Sequence, residues 1–279
     1  MDYKAQSCAS CGSGALKLIS HKLTDGNVFY TYRCEACGET FSTETAYLAR
    51  KAREEKRAAM EQSAKQKKAV PAPSDTLDAP EIYRRNRNSV VELTADKGDC
   101  VGSGTGMVLP GGYVLTNAHV VFSKEKENAT RVQAADSLIG VTADKRRFAF
   151  DIVYADVRRD MALIVSDDLA APAVTFADGD VTIGEKVYAI GNSKGQGICM
   201  LDGIVSDRER FISGERYIMY SAPTVGGNSG GPLFNAHGEV IGMVTLGQKD
   251  GSLMNYAIPT GVLKAFLREA EEKEGITVF

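Results

Sequence analysis

Gly226-Gly227-Asn228-Ser229-Gly230-Gly231-Pro232 gathers four glycines and a proline around one serine. Glycine reaches backbone conformations closed to other residues and lets another chain approach closely. A serine on so sharp a turn projects its Oγ, with its own N–H and that of Gly227 beside it. Two such donors are what a developing oxyanion needs. The segment alone also suits an ordinary hairpin turn, so its meaning depends on what else the chain supplies.

A serine hydroxyl is a weak nucleophile until a base takes its proton. The chain has three histidines. His21 lies between two cysteine pairs, and His237 lies in Asn235-Ala236-His237-Gly238, a hairpin tip. His119 ends the strand and small-residue turn Tyr113-Val114-Leu115-Thr116-Asn117-Ala118-His119, and it is the one placed to serve a distant serine. An acid must then fix the imidazole tautomer. Asp160 directly precedes the apolar run Met161-Ala162-Leu163-Ile164-Val165, where half-burial suits that task. Asp151 and Asp156 are the nearest competitors, and neither is followed by such a strand. The expected catalytic residues are therefore His119, Asp160 and Ser229, with an oxyanion hole from the N–H groups of Gly227 and Ser229.

From about residue 81 to the end, short Val/Ile/Leu/Tyr runs alternate with Gly- and Asp-rich turns. The pattern predicts strands over 89–94, 104–109, 113–117, 148–155, 161–165, 186–191, 200–206, 217–221, 232–234, 240–246 and 255–259. Many short strands at this spacing point to an all-β barrel or sandwich. A short helix is expected over 79–88. A C-terminal amphipathic helix is expected over 261–274, with Leu263, Phe266 and Leu267 on one face.

The order His…Asp…Ser, with Thr-Asn-Ala-His, Asp-Met-Ala-Leu-Ile and Gly-Asn-Ser-Gly-Gly-Pro, resembles the trypsin-like serine proteases and specifically the HtrA/DegP type. Gly102-Ser103-Gly104, Tyr188-Ala189-Ile190-Gly191-Asn192, Gly203-Ile204-Val205-Ser206 and Asn255-Tyr256-Ala257-Ile258-Pro259 strengthen the likeness, which runs over roughly residues 82–270. It implies a chymotrypsin-like double six-stranded β-barrel and a serine endopeptidase acting through an acyl-enzyme, with protein or peptide substrates. It also implies that substrate pairs as an added strand with Thr245-Leu246-Gly247, and that Thr224, Leu246 and Asn255 line the P1 pocket. Ala222-Pro223-Thr224-Val225 has no acid, so a small or medium apolar P1 residue is expected. Relatives often trimerise, so a homo-oligomer is a further implication. In two respects the chain departs from the family pattern: no PDZ domain is expected after the barrel, and no secretory signal is expected before it.

Residues 1–43 form a separate module. Cys8-x2-Cys11-x22-Cys34-x2-Cys37 has the spacing of a four-thiolate zinc site on two knuckles, close to a zinc ribbon. Two disulfides or a redox pair would use the same cysteines. The module has almost no apolar core, which favours folding energy from metal ligation, one structural Zn2+ on Cys8, Cys11, Cys34 and Cys37. Strands are expected over 16–20 and 28–33, around Thr24-Asp25-Gly26-Asn27.

Residues 44–80 are expected to form a charged helix over 44–68 and a Pro-rich linker over 69–80. Arg50–Lys68 carries eight basic residues against three acidic ones, a net +5. That charge attracts phosphates, but a solvated helix explains it more simply. A protein partner for the ribbon is the stronger expectation and nucleic acid the weaker. A catalytically latent or silent scaffold is the alternative to an active enzyme, although a scaffold does not need the full set of catalytic residues.

The whole chain has 279 residues, 43% hydrophobic, and a net charge of −3, so no global field favours nucleic acid or an anionic membrane. No run approaches the roughly 18 apolar residues of a membrane-spanning helix, and no membrane partner is expected. Cys100 and Cys199 stand alone without a disulfide framework. Cysteine usage and the N-terminus together lead to the expectation of a cytoplasmic protein.

Overall fold

The computed structural model describes residues 2–3, 5, 8, 14–24, 27–44, 51, 76–98, 100–124, 132–247 and 254–279. It divides into two compact units, Met1–Lys67 and Lys68–Phe279. The helix expected over 44–68 lies almost entirely outside the described residues, as do residues 69–75 of the linker expected over 69–80, Cys11 and the side chain of Leu246; the last two residues of that linker, Ala79 and Pro80, begin a helix instead.

In the first unit, β1 (Asp2–Tyr3), β2 (Leu16–Thr24), β3 (Asn27–Cys34) and β4 (Thr40–Ser42) make one sheet around β3. β2 pairs antiparallel with β3 from Leu16↔Cys34 to Thr24↔Asn27. The hairpin is longer than the apolar pattern alone suggests, because the polar residues Lys22 and Thr24 continue the ladder through their backbones.

The second unit opens with α1 (Ala79–Asn86), capped by Asp78, whose side chain accepts from the Glu81 N–H at 2.9 Å. The following strands are β5 (Val90–Asp96), β6 (Val101–Val108) and β7 (Tyr113–Thr116), then the one-turn helix α2 (Ala118–Val121). β8 (Phe122–Lys124) and β9 (Val132–Ala134) form a small hairpin beside this sheet. β10 (Ser137–Thr142), β11 (Arg147–Ala149), β12 (Asp151–Asp156) and β13 (Met161–Val165) complete the first half, in the order β11-β10-β5-β6-β7-β13-β12. The two edge strands, β11 and β12, are consecutive in sequence and separated only by Phe150, which is buried. The sheet must therefore curl until its edges nearly meet. It is a seven-stranded open barrel rather than a closed one of six, because the run read as a single strand over 148–155 is broken where Phe150 turns inward.

The second half does close. β14 (Lys186–Asn192), β15 (Ile198–Ile212), β16 (Glu215–Tyr220), β17 (Pro232–Phe234), β18 (Val240–Gly247) and β19 (Asn255–Pro259) form a six-stranded barrel in the order β14-β15-β16-β19-β18-β17. The C-terminal helix α3 (Thr260–Glu274) follows and ends at Gly275 in the left-handed conformation (φ 60°). Among the described residues no helix is long and apolar enough to cross a membrane.

Strand alternation explains the core. Ala162 and Ile164 of β13 face the interior of the first half, while Met161 and Leu163 join a cluster shared by both halves. On β14, Val187 and Ala189 face the interior of the closed barrel, and Tyr188 and Ile190 join the same shared cluster. α3 seals that cluster with Leu263, Phe266 and Leu267, all fully buried. Strands buried on both faces read as continuous apolar runs, and the start of β13 is where Asp160 sits.

Candidate active site

β7 delivers the chain into α2, which carries His119. Asn117 is still extended (φ −76°, ψ 146°), and the helix lasts one turn. Lys97 braces that turn, its Nζ donating to the carbonyls of His119 at 2.8 Å and Phe122 at 2.9 Å. Burial lowers the Lys97 ammonium below its ordinary range.

Asp160 adopts the left-handed conformation with φ 57°, which aspartate tolerates better than most residues. Its neighbours hold it there. Asn117 Nδ2 donates to the Asp160 carbonyl at 2.9 Å, and the His119 backbone N–H donates to Oδ1 at 2.9 Å. Asn117 Oδ1 is buried without a hydrogen-bond partner among the described residues, a local cost of this grip. The carboxylate then faces the imidazole, with His119 Nδ1 at 2.8 Å from Oδ2 and 3.0 Å from Oδ1. Thr245 Oγ1 donates to Oδ2 at 2.7 Å.

The preceding residue anchors this turn. Arg159 Nε donates to Asp156 at 2.6 Å, and its guanidinium grips Glu269 of α3 at 2.9 and 2.5 Å. Hydrogen bonding to Glu269 raises the Arg159 guanidinium still further, and the same contact holds the Glu269 carboxyl below its ordinary range. Burial pushes the Asp156 carboxyl up, but hydrogen bonds from the backbone and side chain of Arg159 outweigh it and leave it lowered.

Ser229 lies between β16 and β17, in a turn that only glycine can close. Gly227 has φ 95°, and a Cβ there would stand 2.1 Å from the Asn192 carbonyl oxygen. Gly230 has φ 85°, and a Cβ there would stand 2.2 Å from the Thr105 carbonyl oxygen. The backbone N–H groups of Gly227 and Ser229 have no acceptor among the described residues. Ser229 Oγ donates to the Thr245 carbonyl at 3.4 Å, and among the described residues no hydrogen bond joins it to His119. Thr245 thus meets the serine through its carbonyl and the aspartate through its hydroxyl.

The expected substrate-pocket residues are engaged in different ways. The Thr224 hydroxyl shares a hydrogen bond of 2.9 Å with Tyr220, whose phenol burial pushes up. Asn255 is buried and its Nδ2 donates to the Ala222 carbonyl at 2.8 Å, bracing the 222–225 segment. Gly247 pairs with Asn255 across β18 and β19 and is exposed. Thr105, Asn117, Arg159 and the Thr245 hydroxyl are the site residues that sequence reasoning misses. Only Asn117 had a signal, its place two residues before His119.

In the first unit, the thiols of Cys8, Cys34 and Cys37 lie within 4.8 Å of one another. Cys8 and Cys37 are 3.8 Å apart, far beyond the roughly 2.05 Å of a disulfide. Thiolates at about 2.3 Å from a tetrahedral ion stand about 3.8 Å apart, so the spacing fits a metal. The fourth expected ligand, Cys11, lies outside the described residues.

The profile of the trypsin-like peptidase domain matches residues 104–243. The probable periplasmic serine endoprotease DegP-like of Pseudomonas putida is 32% identical over 202 residues, 67% of this chain and 40% of the relative. The protein of the same description from Marinomonas sp. is 36% identical over 169 residues, 57% of this chain and 33% of the relative. Among solved structures, the HtrA-type protease AlgW with tripeptide matches with a TM-score of 0.62 at 29% identity, covering 71% of this chain and 64% of that one. The serine endoprotease from Yersinia pestis matches with a TM-score of 0.61 at 25% identity, covering 73% and 68%. The chain therefore spans less than half the length of these curated relatives.

The expectation of a cytoplasmic protein is overturned here, because the relatives are described as periplasmic. The physical reason lies in the core. Three apolar clusters fill the second unit, and a domain of that size needs no disulfides to stay folded. Missing disulfides therefore say little about its compartment.

Proposed function

The chain belongs to the trypsin-like peptidase domain family, and from that premise we propose that it is an HtrA-type serine endopeptidase working through Ser229, His119 and Asp160. Ser229 Oγ attacks the scissile carbonyl as His119 Nε2 takes its proton. Asp160, on Nδ1, fixes the tautomer and stabilises the imidazolium. The N–H groups of Gly227 and Ser229 hold the oxyanion. His119 then protonates the leaving amine, and water activated by the same imidazole clears the acyl-enzyme.

The observation that carries this reading is the pairing at Thr245. Its hydroxyl holds Asp160, itself bonded to His119, and its carbonyl meets Ser229. Three side chains far apart in sequence thereby gather around one residue of β18. In this reading a peptide adds as a strand along Thr245-Leu246-Gly247. Its P1 residue is small or medium and apolar, because Ala222-Pro223-Thr224-Val225 carries no acid and the Thr224 hydroxyl is occupied by Tyr220. The setting is periplasmic, as described for the relatives, and the homo-oligomer implied by the resemblance belongs to the same reading.

The thiols of Cys8, Cys34 and Cys37, with Cys11, hold one structural Zn2+ in this proposal; the ion supplies the cross-link that a unit with so small a core lacks. The unit then serves to address the peptidase, to a protein partner before a nucleic acid.

One observation favours a second reading, a protease held latent. The Ser229 hydroxyl is turned to the Thr245 carbonyl and makes no hydrogen bond to His119 among the described residues. A fluorophosphonate probe tests both readings by intact mass. Wild type should gain one adduct, and Ser229→Ala none. Labelling that requires added peptide supports latency. A folded wild-type chain that no condition labels defeats the peptidase proposal.

A further inference from the structure

An oxyanion hole works only if its N–H groups are aimed before the reaction begins. In a trans peptide the C=O and N–H point in opposite directions, so whatever grips the carbonyl aims the amide. Every carbonyl from residue 226 to 229 is gripped. Gly226 O accepts from the Lys194 N–H at 2.7 Å, and Asn228 O from the Gly231 N–H at 2.9 Å. These two peptide units carry the N–H groups of Gly227 and Ser229.

The other two carbonyls are held by a single residue of the opposite half. Thr105 of β6 is fully buried. Its N–H donates to Ser229 O at 2.8 Å, and its hydroxyl donates to Gly227 O at 2.7 Å. The hydroxyl must be the donor in that second bond, because a carbonyl oxygen only accepts, and the same hydroxyl oxygen also receives the Asn192 N–H at 2.9 Å. A hydroxyl has one proton; accepting from Asn192, it gives that proton to Gly227 O. Asn192 begins the short turn that presents the Lys194 N–H to Gly226 O. The Thr105 hydroxyl therefore fixes the peptide unit between the two hole donors and, through Asn192, the turn that aims the first of them. It is fixed in its own right, since Thr116 Oγ1 donates to its carbonyl at 2.7 Å. Gly227, at φ 95° and without a side chain, leaves that unit to two bonds: the clip on its carbonyl and the Asn228 N–H, which donates to the Val225 carbonyl at 3.1 Å.

We infer that Thr105 is a positioning residue of the oxyanion hole, a hydroxyl clip from the first barrel that holds the Ser229 turn in its donor-forward form. The inference rests on the peptidase reading and adds to it a residue that touches neither substrate nor catalytic side chain.

Thr105→Val keeps the shape and removes the clip. Deleting a hole donor outright costs about a hundredfold or more in kcat; loosening one should cost about tenfold, with KM changed by less than about twofold. Binding of a peptide boronic acid, whose tetrahedral adduct fills the hole, should weaken by the same factor as kcat/KM. Thr105→Ser retains the hydroxyl and should restore kcat to within about threefold of wild type. The inference is overturned by a Val variant as active as wild type, by a Ser variant as impaired as Val, or by a loss carried in KM. Should the Val variant not fold, Thr105→Cys replaces it. Its weak S–H donor must lower kcat below that of the Ser variant, or the clip has no role. Wild type serves as the arbiter: if it neither cleaves peptide nor takes the probe, the peptidase reading falls. If it does both while Val matches it, only the clip falls.

Discussion

The two units of this chain are held together by different physics. Among the described apolar residues and cysteines of the first unit, those that are buried are Cys8, Phe29, Tyr32 and Cys34. Half of that small set is thiol. The second unit has one cluster inside each barrel half and a third between them, sealed by α3. The first unit has a small core among the described residues, and in the proposed reading a metal cross-link supplies the folding energy that such a core lacks. The second unit has its own apolar clusters and needs no such cross-link.

Metal removal is the sharpest way to break the comparison. Structural zinc on thiolates is worth about 10–16 kcal/mol in small modules. A strong chelator should unfold the first unit and leave the main thermal transition of the barrel in place, as read by calorimetry. If both transitions move together, the division is wrong. Next in size is Asp160→Asn, which should lower kcat by about 10^4-fold, roughly 5.5 kcal/mol, through the wrong imidazole tautomer. Zinc content measured on the same sample should stay unchanged.

Phe266→Ala empties a fully buried site beside Tyr154, where the ring centroids are 5.3 Å apart. It should cost about 3–5 kcal/mol in urea unfolding of the barrel without affecting the metal. The smallest effect concerns the clamp behind Asp160. Arg159→Met should destabilise by about 1–3 kcal/mol and alter the pH profile. Asp156 and Glu269 are both held below their ordinary values in the folded chain. The unfolded chain therefore binds more protons, and their stabilisation is present above about pH 4 and lost as the pH falls further. Unfolding free energies measured between about pH 5 and 2 should fall more steeply for wild type than for Arg159→Met. Equal slopes would mean that the clamp carries no linkage.

Much of the site was legible because its parts are local. Thr-Asn-Ala-His and Gly-Asn-Ser-Gly-Gly-Pro are contiguous, and their glycines meet backbone requirements at Gly227 and Gly230 that the structure bears out. The strands 161–165, 232–234 and 255–259 begin and end where the apolar pattern does. Other strands did not announce themselves. β10 alternates buried Leu138 with half-exposed Ile139 and contains Gly140, and β15 runs on to Ile212 through Asp207, Arg208, Glu209 and Arg210. There the ladder with β16 is made by backbone groups whose side chains point to water.

Order and spacing along the chain determined which residues are available: one well-placed histidine, an acid before an apolar strand, a serine among glycines, and cysteines in two pairs. Only the tertiary structure decided how they are held. Thr105, Arg159 and Thr245 act through hydrogen bonds to residues 87 to 124, 110 and 85 positions away respectively. A hydrogen bond reads distance in space, and nothing in a local pattern of side chains encodes which remote carbonyl or carboxylate will arrive within 3 Å.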